Sequence, residues 1–312
     1  MANTRTPSRQ ARPDVAAEIT QRIIDELDKG VMPWRCNWRR AGGSLPRRHS
    51  GEPYRGINLL ILALTAHAGG YTSPYWMTYK QAGAYGGQVR KGERSTLVIY
   101  YGTAHRREAP DGDAQDGNEP GTYRFLKSYA VFNSDQIDGL PDQFTPKEED
   151  LDAGGRPIER LEAFFDRMGV PVRVGGDVAA YRPGPDDIVM PPHERFEDGE
   201  LWYASLAHEI CHYSGTPERL DREVARRYHE NQACRAEEEL IAELAAAMMG
   251  AHLGFTGDHI DDHARYIGGW IKALRSDKRL LLKAAAEAQR AVDWMFEAAS
   301  VSTDAVGTAE AA

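Results

Sequence analysis

Residues 204–213 read Ala-Ser-Leu-Ala-His-Glu-Ile-Cys-His-Tyr, and the rest of the chain can be interpreted around this stretch. If it is helical, His208 and His212 stand four residues apart, one turn from each other on the same face. Two imidazoles placed in this way can bind one metal ion, and Glu209 can then serve as general base toward a water that the ion activates. The alternative is a surface helix that carries two solvated histidines.

The flanks of this stretch predict where the helix begins and ends. Residues 196–203 read as a loop that leads into an apolar helix, and Gly215 and Pro217 follow the second histidine. Glycine at the C′ position and proline shortly after it are helix stop signals, so the helix should end just past His212. A helix that ends there suits a metal site in a cleft.

A catalytic zinc site needs a third protein ligand and keeps one position open for water. Residues 236–249 form a second helical run that is almost wholly apolar in its second half, which predicts a buried helix. Glu239 and Glu243 share a face of it, and two buried carboxylates are costly unless they are paired or bound to a metal. We favour Glu239 as the ligand and Glu243 as acceptor of a ring N–H from a ligand histidine, and the reverse assignment stays open. Glu237 and Glu238 are better explained as charges that complement the helix dipole.

Length and composition limit the class of protein. The chain has 312 residues, enough for two domains, and a net charge of -9. No apolar run approaches the ~20 residues of a membrane helix, and the first residues lack the apolar core of a secretory signal. The three cysteines are scattered, with no Cys-x-x-Cys pair. We therefore expect a cytoplasmic protein without a membrane partner.

The charge is distributed unevenly along the chain. Residues 1–107 hold 17 Lys and Arg against 7 Asp and Glu, whereas residues 108–312 hold 21 against 40. Such asymmetry suggests that the first half faces nucleic acid, with an ordinary solvated surface as the alternative. Proteins that bind single strands mix exposed aromatic rings with Arg and Lys, because bases offer π-faces and the backbone offers charge.

The first half contains this mixture, and no duplex-reading motif is present. The predicted nucleic-acid contacts are Trp34, Arg35, Trp38, Arg39, Arg40, Arg47, Arg48, Tyr54, Arg55, Trp76, Tyr79, Lys80, Arg90 and Lys91. The alternative is that most of these aromatic residues belong to the core, where large rings are common.

The order of the predicted elements indicates an α+β fold. A helix is expected over residues 14–29 and a second from residue 54 to about residue 68, and strands at 96–101 and 123–132 should pair as a hairpin. The predicted organisation is a first domain at 14–135 with a flexible loop at 103–122, a linker at 136–156, a second domain at 157–298, and disordered tails at 1–13 and 299–312.

With both halves considered, the sequence resembles the ArdC-type antirestriction proteins over roughly residues 15–300. The resembling segments are Tyr54-Arg55-Gly56-Ile57-Asn58, Tyr129-Ala130-Val131-Phe132-Asn133, the segment 207–215, Arg219-Leu220, the segment 238–243, and Tyr266-Ile267 followed by Trp270. Two positions depart from the pattern: Tyr213 stands where Trp is expected, and Cys211 stands where an apolar residue is usual.

The resemblance implies an N-terminal domain that binds single-stranded DNA and a C-terminal zincin-like metallopeptidase domain that is mainly helical with a small sheet. It also implies a protein of a mobile element, such as a plasmid, or of a phage that protects incoming DNA from restriction. We expect Zn²⁺ at the metal site, with another divalent ion such as Mn²⁺ as the alternative. His263 and Tyr266 are weaker candidates for stabilising an oxyanion.

Three functions fit this reading of the sequence. The first is a DNA-tethered peptidase that acts on an unidentified DNA-processing or restriction protein. The second is a non-catalytic DNA-binding shield with a structural metal site. The third is an accessory protein of replication or of a primase, although no polymerase motif of a primase is present. The sequence does not predict an oligomeric state.

Overall fold

The computed structural model describes residues 14–32, 34, 45–105, 122–145, 158–255 and 264–300, and it has the predicted α+β architecture. Within these residues the helices are α1 (Val15–Leu27), α2 (Ile57–Gly69), α3 (Tyr79–Ala84), α4 (Ile158–Arg167), α5 (Gly199–Ser214), α6 (Glu223–Arg226), α7 (Gln232–Leu253), α8 (Ala264–Ser276) and α9 (Leu280–Ala298). The strands are β1 (Arg47–Arg48), β2 (Tyr75–Thr78), β3 (Gln88–Val89), β4 (Thr96–His105), β5 (Thr122–Asn133), β6 (Ile137–Asp138), β7 (Val172–Val174), β8 (Ala180–Arg182) and β9 (Asp187–Met190). The predictions for the two tails (except residues 299–300), for residues 106–121 of the loop and for residues 146–156 of the linker lie outside the described residues. Residues 136–145 do not behave as the predicted linker, because β6 pairs with β3 and the Phe144 side chain is buried.

The first half is built on a four-stranded sheet in the order β1-β2-β5-β4. Strand β4 pairs in antiparallel register along its whole length with residues 122–131 of β5, which confirms the predicted hairpin. Helix α2 covers one face of the sheet through a cluster that joins Leu62 and Ala66 to Trp76, Val98 and Val131. The opposite face packs on α3 and the β3–β6 pair. The sheet is therefore covered on both faces near its centre.

The second half places helices against a three-stranded sheet in the order β7-β9-β8. Helix α5 packs between this sheet and α7, and α7 packs in turn on α9. Alanine, leucine and methionine line α7 along most of its length, so the helix is buried almost throughout. This burial agrees with the prediction from its composition. Because α5 and α7 lie side by side, their polar residues face one another inside the core.

The two halves share one hydrophobic cluster, to which α1 and α2 contribute together with α5, α7 and α9. The Thr20 hydroxyl donates a hydrogen bond to the Lys278 carbonyl at 2.7 Å, and the Gly56 N–H donates to the Gln289 side chain at 2.7 Å. Gly56 has a φ of 57°, a conformation that glycine adopts without steric cost, and it is the N-cap of α2. The predicted domains are thus packed tightly against each other.

In the described part of the chain, none of the helices combines the length and the apolar character needed to cross a bilayer.

Candidate metal centre

Helix α5 carries three of the predicted site residues at helical spacing. Asp198 caps its first turn by accepting the Glu200 N–H at 3.0 Å, and the helix ends at Ser214, where the sequence predicted an end. His208 and His212 project from one face, and their Nε2 atoms lie 3.2 Å apart. Both imidazoles are largely buried, which excludes the alternative of two solvated surface histidines.

Gly215 is the C-cap residue of α5, but its backbone conformation differs from the one that its sequence position suggested. Its φ is -80°, so it does not use the left-handed conformation of a C′ glycine. A Cβ atom at this position would lie 2.6 Å from the Arg222 Nη2 and 2.9 Å from the Ala225 Cβ. Glycine is needed here because the buried guanidinium of Arg222 occupies the space that a side chain would fill.

Helix α7 supplies the carboxylate that completes the donor set. Glu239 Oε2 lies 3.4 Å from His208 Nε2 and 3.8 Å from His212 Nε2. Ligand atoms bound to a tetrahedral zinc ion at ~2.0–2.1 Å stand roughly 3.3–3.4 Å apart, so the three observed separations suit one ion. His208, His212 and Glu239 are a group of described residues whose donor atoms converge in this way. The residues present therefore fit a divalent metal.

Each histidine has a carboxylate near its Nδ1 atom, the ring nitrogen that faces away from the candidate metal position. His212 Nδ1 lies 3.2 Å from Glu238 Oε1, within hydrogen-bonding distance. His208 Nδ1 lies 3.8 Å from Glu243 Oε1, the residue predicted as a partner of a ligand histidine. Such carboxylates orient the ring and keep the proton on the outer nitrogen, which leaves the inner nitrogen free for the metal.

The assignment of Glu238 to the helix dipole is wrong. Its side chain is 1% exposed and forms two hydrogen bonds with the equally buried Arg222, from Nε to Oε2 at 2.9 Å and from Nη2 to Oε1 at 2.6 Å. Arg222 Nη2 also donates to the Cys211 carbonyl at 2.8 Å. This ion pair ties α7 to the C-terminal end of α5 and holds Glu238 against His212. The sequence offered no local sign that these residues meet.

The electrostatics of the cluster favour a cation. Burial acts to lower the pKa of His208, but the surrounding carboxylates, Glu239 first among them, outweigh it and raise that pKa to about 10. Burial acts to raise the pKa of Glu239, but hydrogen bonding and charge from the two imidazoles bring it to about 2. Burial acts to lower the pKa of His212, but its hydrogen bond to Glu238 and the charges of Glu239 and Glu209 together outweigh burial and raise that pKa. A divalent ion would replace the protons that the carboxylates draw to these rings.

Glu209, the predicted general base, lines a cleft of about 440 Å³ beside His208 and His212. Its Oε2 accepts the backbone N–H of Tyr181 at 2.7 Å. Tyr181 belongs to β8, which lies at one edge of its sheet and also borders the cleft. The carboxylate is thus held between the metal-binding face of α5 and the strand that forms the opposite wall.

Tyr228 is a site residue that the sequence interpretation missed. It follows the short helix α6, and its hydroxyl donates a hydrogen bond to Glu239 Oε1 at 2.5 Å. Its ring also stands edge-on to His212, with centroids 6.0 Å apart. The earlier oxyanion candidates are not placed by the structure: His263 lies outside the described residues, and only the backbone of Tyr266 is described. An isolated tyrosine eleven residues before Glu239 carried no sequence signal of this contact.

The structure separates the predicted nucleic-acid contacts into buried residues, surface residues and residues that it does not describe. Trp34, Tyr54 and Trp76 are buried at 2%, 7% and 1% exposure, so they belong to the core and are removed from the set that could stack on bases. Trp34 packs edge-on against Trp270, 5.5 Å between centroids. Arg35, Trp38, Arg39 and Arg40 lie outside the described residues. The aromatic-rich pattern therefore came partly from the core, as the alternative stated.

Several of the predicted cations already have partners within the protein. Arg55 is paired with Asp293 of α9, Arg48 with Glu52, and Arg47 donates to the Gly51 carbonyl at 3.2 Å. Lys80 is exposed on α3.

Three of the remaining candidates share one surface depression. Tyr79, Arg90 and Lys91 line an open depression of about 660 Å³. The Tyr79 ring is 57% exposed there. Arg90 is paired with Glu93 at 2.9 Å and with Asp138 at 3.5 Å, so its charge is partly neutralised.

The roles of the two α7 carboxylates can be separated with isosteric changes. Glu239→Gln is expected to weaken divalent-metal binding more than a hundredfold, because it removes a charged ligand. Glu243→Gln should cost only about tenfold, the range of residues that orient a ligand. Competition with a chromogenic chelator measures both affinities. If Glu243→Gln loses more metal affinity than Glu239→Gln, then Glu243 is the ligand and Glu239 is the residue that orients a ligand histidine.

Comparison with known proteins gives two family matches that together span most of the chain. Residues 13–132 match the N-terminal domain of the anti-restriction factor ArdC, and residues 159–287 match a zincin-like metallopeptidase family. Protein y4eC of Sinorhizobium fredii is 40% identical over 300 residues, which is 95% of each chain. The DNA primase TraC of Escherichia coli is 35% identical over 294 residues, covering 89% of this chain but only 27% of the primase.

Two solved structures share the fold. The metal-free crystal structure of the antirestriction protein ArdC from plasmid R388 has a TM-score of 0.76 at 42% identity and covers 92% of this chain and 98% of that one. The Mn(II)-bound structure of the same protein has a TM-score of 0.72 at 40% identity with the same coverage. The similarity thus extends across both halves of the molecule.

Proposed function

The chain belongs to the ArdC-type family of antirestriction proteins, and from that premise we propose that it is a DNA-tethered metallopeptidase. Its first half would bind single-stranded DNA, and its second half would cleave a protein that processes or restricts that DNA. The observation that carries the peptidase part is the convergence of His208, His212 and Glu239 on one point beside Glu209. Three protein donors leave a position for water, as catalytic zinc sites do and closed structural sites do not.

The metal would be held by the two Nε2 atoms and the Glu239 carboxylate, and when bound it supplies Lewis acidity that makes water a stronger nucleophile and polarises a carbonyl. We propose Zn²⁺ as this ion, and Mn²⁺ is the alternative that the Mn(II)-bound relative favours. Glu238, at 3.2 Å from His212 Nδ1, and Glu243, at 3.8 Å from His208 Nδ1, would orient the rings so that their inner nitrogens stay available. Tyr228 orients the Glu239 carboxylate through its hydroxyl.

Glu209 would take the proton from the attacking water and deliver it to the leaving amine. Its position supports this role, since one oxygen is fixed by the Tyr181 N–H while the side chain borders the cleft. The cleft wall at β8 gives an extended peptide a strand edge to lie along. The protein substrate would therefore enter as an extended segment.

The DNA-binding part predicts a strong dependence on salt. Lys and Arg contacts to phosphates release counterions, so the logarithm of the affinity for single-stranded DNA should fall linearly with the logarithm of salt concentration, at about 0.7 per phosphate contact. Titration of a labelled oligonucleotide at several salt concentrations measures the slope. An affinity that does not change with salt would contradict a basic binding face.

A second candidate is a replication accessory without peptidase activity, favoured by the similarity to the primase TraC. The chain matches only part of that primase, so a role beside a replication enzyme would need a partner for the remaining functions. A shield that covers DNA and keeps the metal for structure is the other alternative. Neither alternative assigns a role to Glu209 or to the open cleft, so we rank both below the peptidase.

The proposal is tested by comparing the proteomes of restriction-proficient cells that produce the wild-type protein or its Glu209→Gln variant. We expect new protein termini, in one or a few proteins of DNA processing or restriction, that appear only with the wild type. Equal levels of the two proteins, measured by immunoblot, control for expression. Identical proteomes, together with equal protection of incoming DNA by both proteins, would contradict the peptidase and favour the shield.

A further inference from the structure

The β4–β5 hairpin reaches beyond the core of the first half. Near the sheet centre, the Val98 and Val131 side chains lie on the face that α2 covers. Residues paired across antiparallel strands, and every second residue along each strand, point to the same face. The register pairs Val98 with Tyr129, Tyr100 with Lys127, and Gly102 with Phe125. These pairs extend the covered face outward, past the end of the packed core.

On this extension aromatic rings reach into solvent. Tyr100 is 49% exposed and Tyr129 is 44% exposed, although large rings are usually buried. The rings of Phe125 and Tyr100 converge over Gly102, where a Cβ atom would lie 2.3 Å from Phe125 Cζ and 2.8 Å from Tyr100 Cε1. The absence of a side chain at Gly102 therefore lets two rings lie close together. We call Tyr100, Phe125, Lys127 and Tyr129 the hairpin platform.

The two strands that carry the platform contain no acidic residue. Strands β4 and β5 span 22 residues without one Asp or Glu, in a chain whose net charge is -9. Lys127 places its Nζ 4.8 Å from the centre of the Phe125 ring, so a cation stands directly among the aromatic side chains. A surface of this kind attracts a ligand that is anionic and has flat faces. An acidic or neutral protein partner would not require the rings and the lysine together.

We propose that the hairpin platform binds the bases of single-stranded DNA by stacking, with Lys127 contacting a phosphate. The inference rests on the proposed DNA-binding function and names the site that performs it. Phe125 and Tyr129 are four residues apart on one strand, a span of roughly 13 Å. That length suits about two or three bases, the number that aromatic residues on a sheet stack in other single-strand binders.

The test measures binding of a fluorescein-labelled oligo(dT) of about 20 nucleotides to the full chain at one fixed salt concentration. Tyr100→Ala and Tyr129→Ala should each lower the affinity at least about fivefold, since each removes a stacking ring. Tyr100→Phe and Tyr129→Phe should stay within about twofold of wild type, because the ring is kept. Lys127→Gln should reduce the salt slope by about 0.7.

The matched control is Tyr101→Ala, because Tyr101 is the next residue on the same strand, is 59% exposed and points to the opposite face. It should bind as the wild type does. If the wild type binds and the Tyr100 and Tyr129 alanine variants bind as tightly as Tyr101→Ala, the platform is wrong while the DNA-binding function stands. If the wild type does not bind the oligonucleotide, both fail. If the alanine variants leave DNA binding unchanged but alter the oligomeric mass measured by sedimentation, the platform joins two copies of the chain and the proposal is overturned.

Discussion

Replacing Glu209 with glutamine should lower the rate of peptide hydrolysis at least a hundredfold, while the protein still binds its metal ion and keeps its fold. General-base catalysis contributes about 10²- to 10⁴-fold, and Glu209 is the carboxylate on α5 that borders the cleft without being a predicted ligand. The measurement is the initial rate on a cleavable peptide, with metal content measured on the same samples. The fall should appear in kcat, because the interaction is made in the transition state.

Glutamine is the appropriate replacement because its side-chain oxygen can still accept the Tyr181 N–H that Glu209 accepts at 2.7 Å. Glu209→Ala should lose the same activity but also leaves that backbone donor without its partner, which costs about 1–3 kcal/mol of stability if the N–H stays buried. The difference in unfolding free energy between the two variants separates catalysis from structure. If either variant binds metal and hydrolyses the peptide at the wild-type rate, Glu209 is not the general base.

Replacing Arg222 with methionine should destabilise the protein by about 3–5 kcal/mol, the usual cost of removing one partner from a buried ion pair. The guanidinium is 2% exposed and forms two hydrogen bonds with Glu238, which is 1% exposed. Without it, the Glu238 carboxylate would stay buried with only His212 to compensate its charge. Urea unfolding in the presence of a chelator measures the loss, because a bound metal would add stability of its own.

Two further variants make this prediction specific. Arg226→Met removes a cation from α6, the short helix that follows Arg222, but its pair with Asp221 is half exposed and 3.3 Å long, so the expected cost is below about 1 kcal/mol. The double variant Arg222→Met with Glu238→Met should recover much of the lost stability, since no charge remains buried. A cost for Arg222→Met no larger than that for Arg226→Met would show that the ion pair does not stabilise the fold.

Local sequence predicted the helices α5 and α7, the β4–β5 hairpin and, with Glu239 and Glu243 left as alternatives, the candidate ligands. The spacing of His208 and His212 is a property of one helix, and the apolar character of α7 shows in its composition. Strands β4 and β5 were recognisable from their β-branched and aromatic residues. In these cases the deciding interactions lie within a few residues of one another, so periodicity and propensity record them directly.

What only the tertiary structure decided is which side chains meet across the chain and which face inward. The contacts of Arg222 with Glu238 and of Tyr228 with Glu239 join residues 16 and 11 positions apart, on different elements whose packing no local pattern encodes. Burial divides the aromatic residues in the same way: Trp76 fills the core, whereas Tyr100 is half exposed, although both lie in strands of one sheet. The alternation of side chains between the two faces of a strand is visible in the sequence. Which part of a sheet face is covered and which part stays open depends on where α2 packs. The candidate metal ligands were therefore predicted from the sequence, while their supporting contacts and the exposed platform required the folded chain.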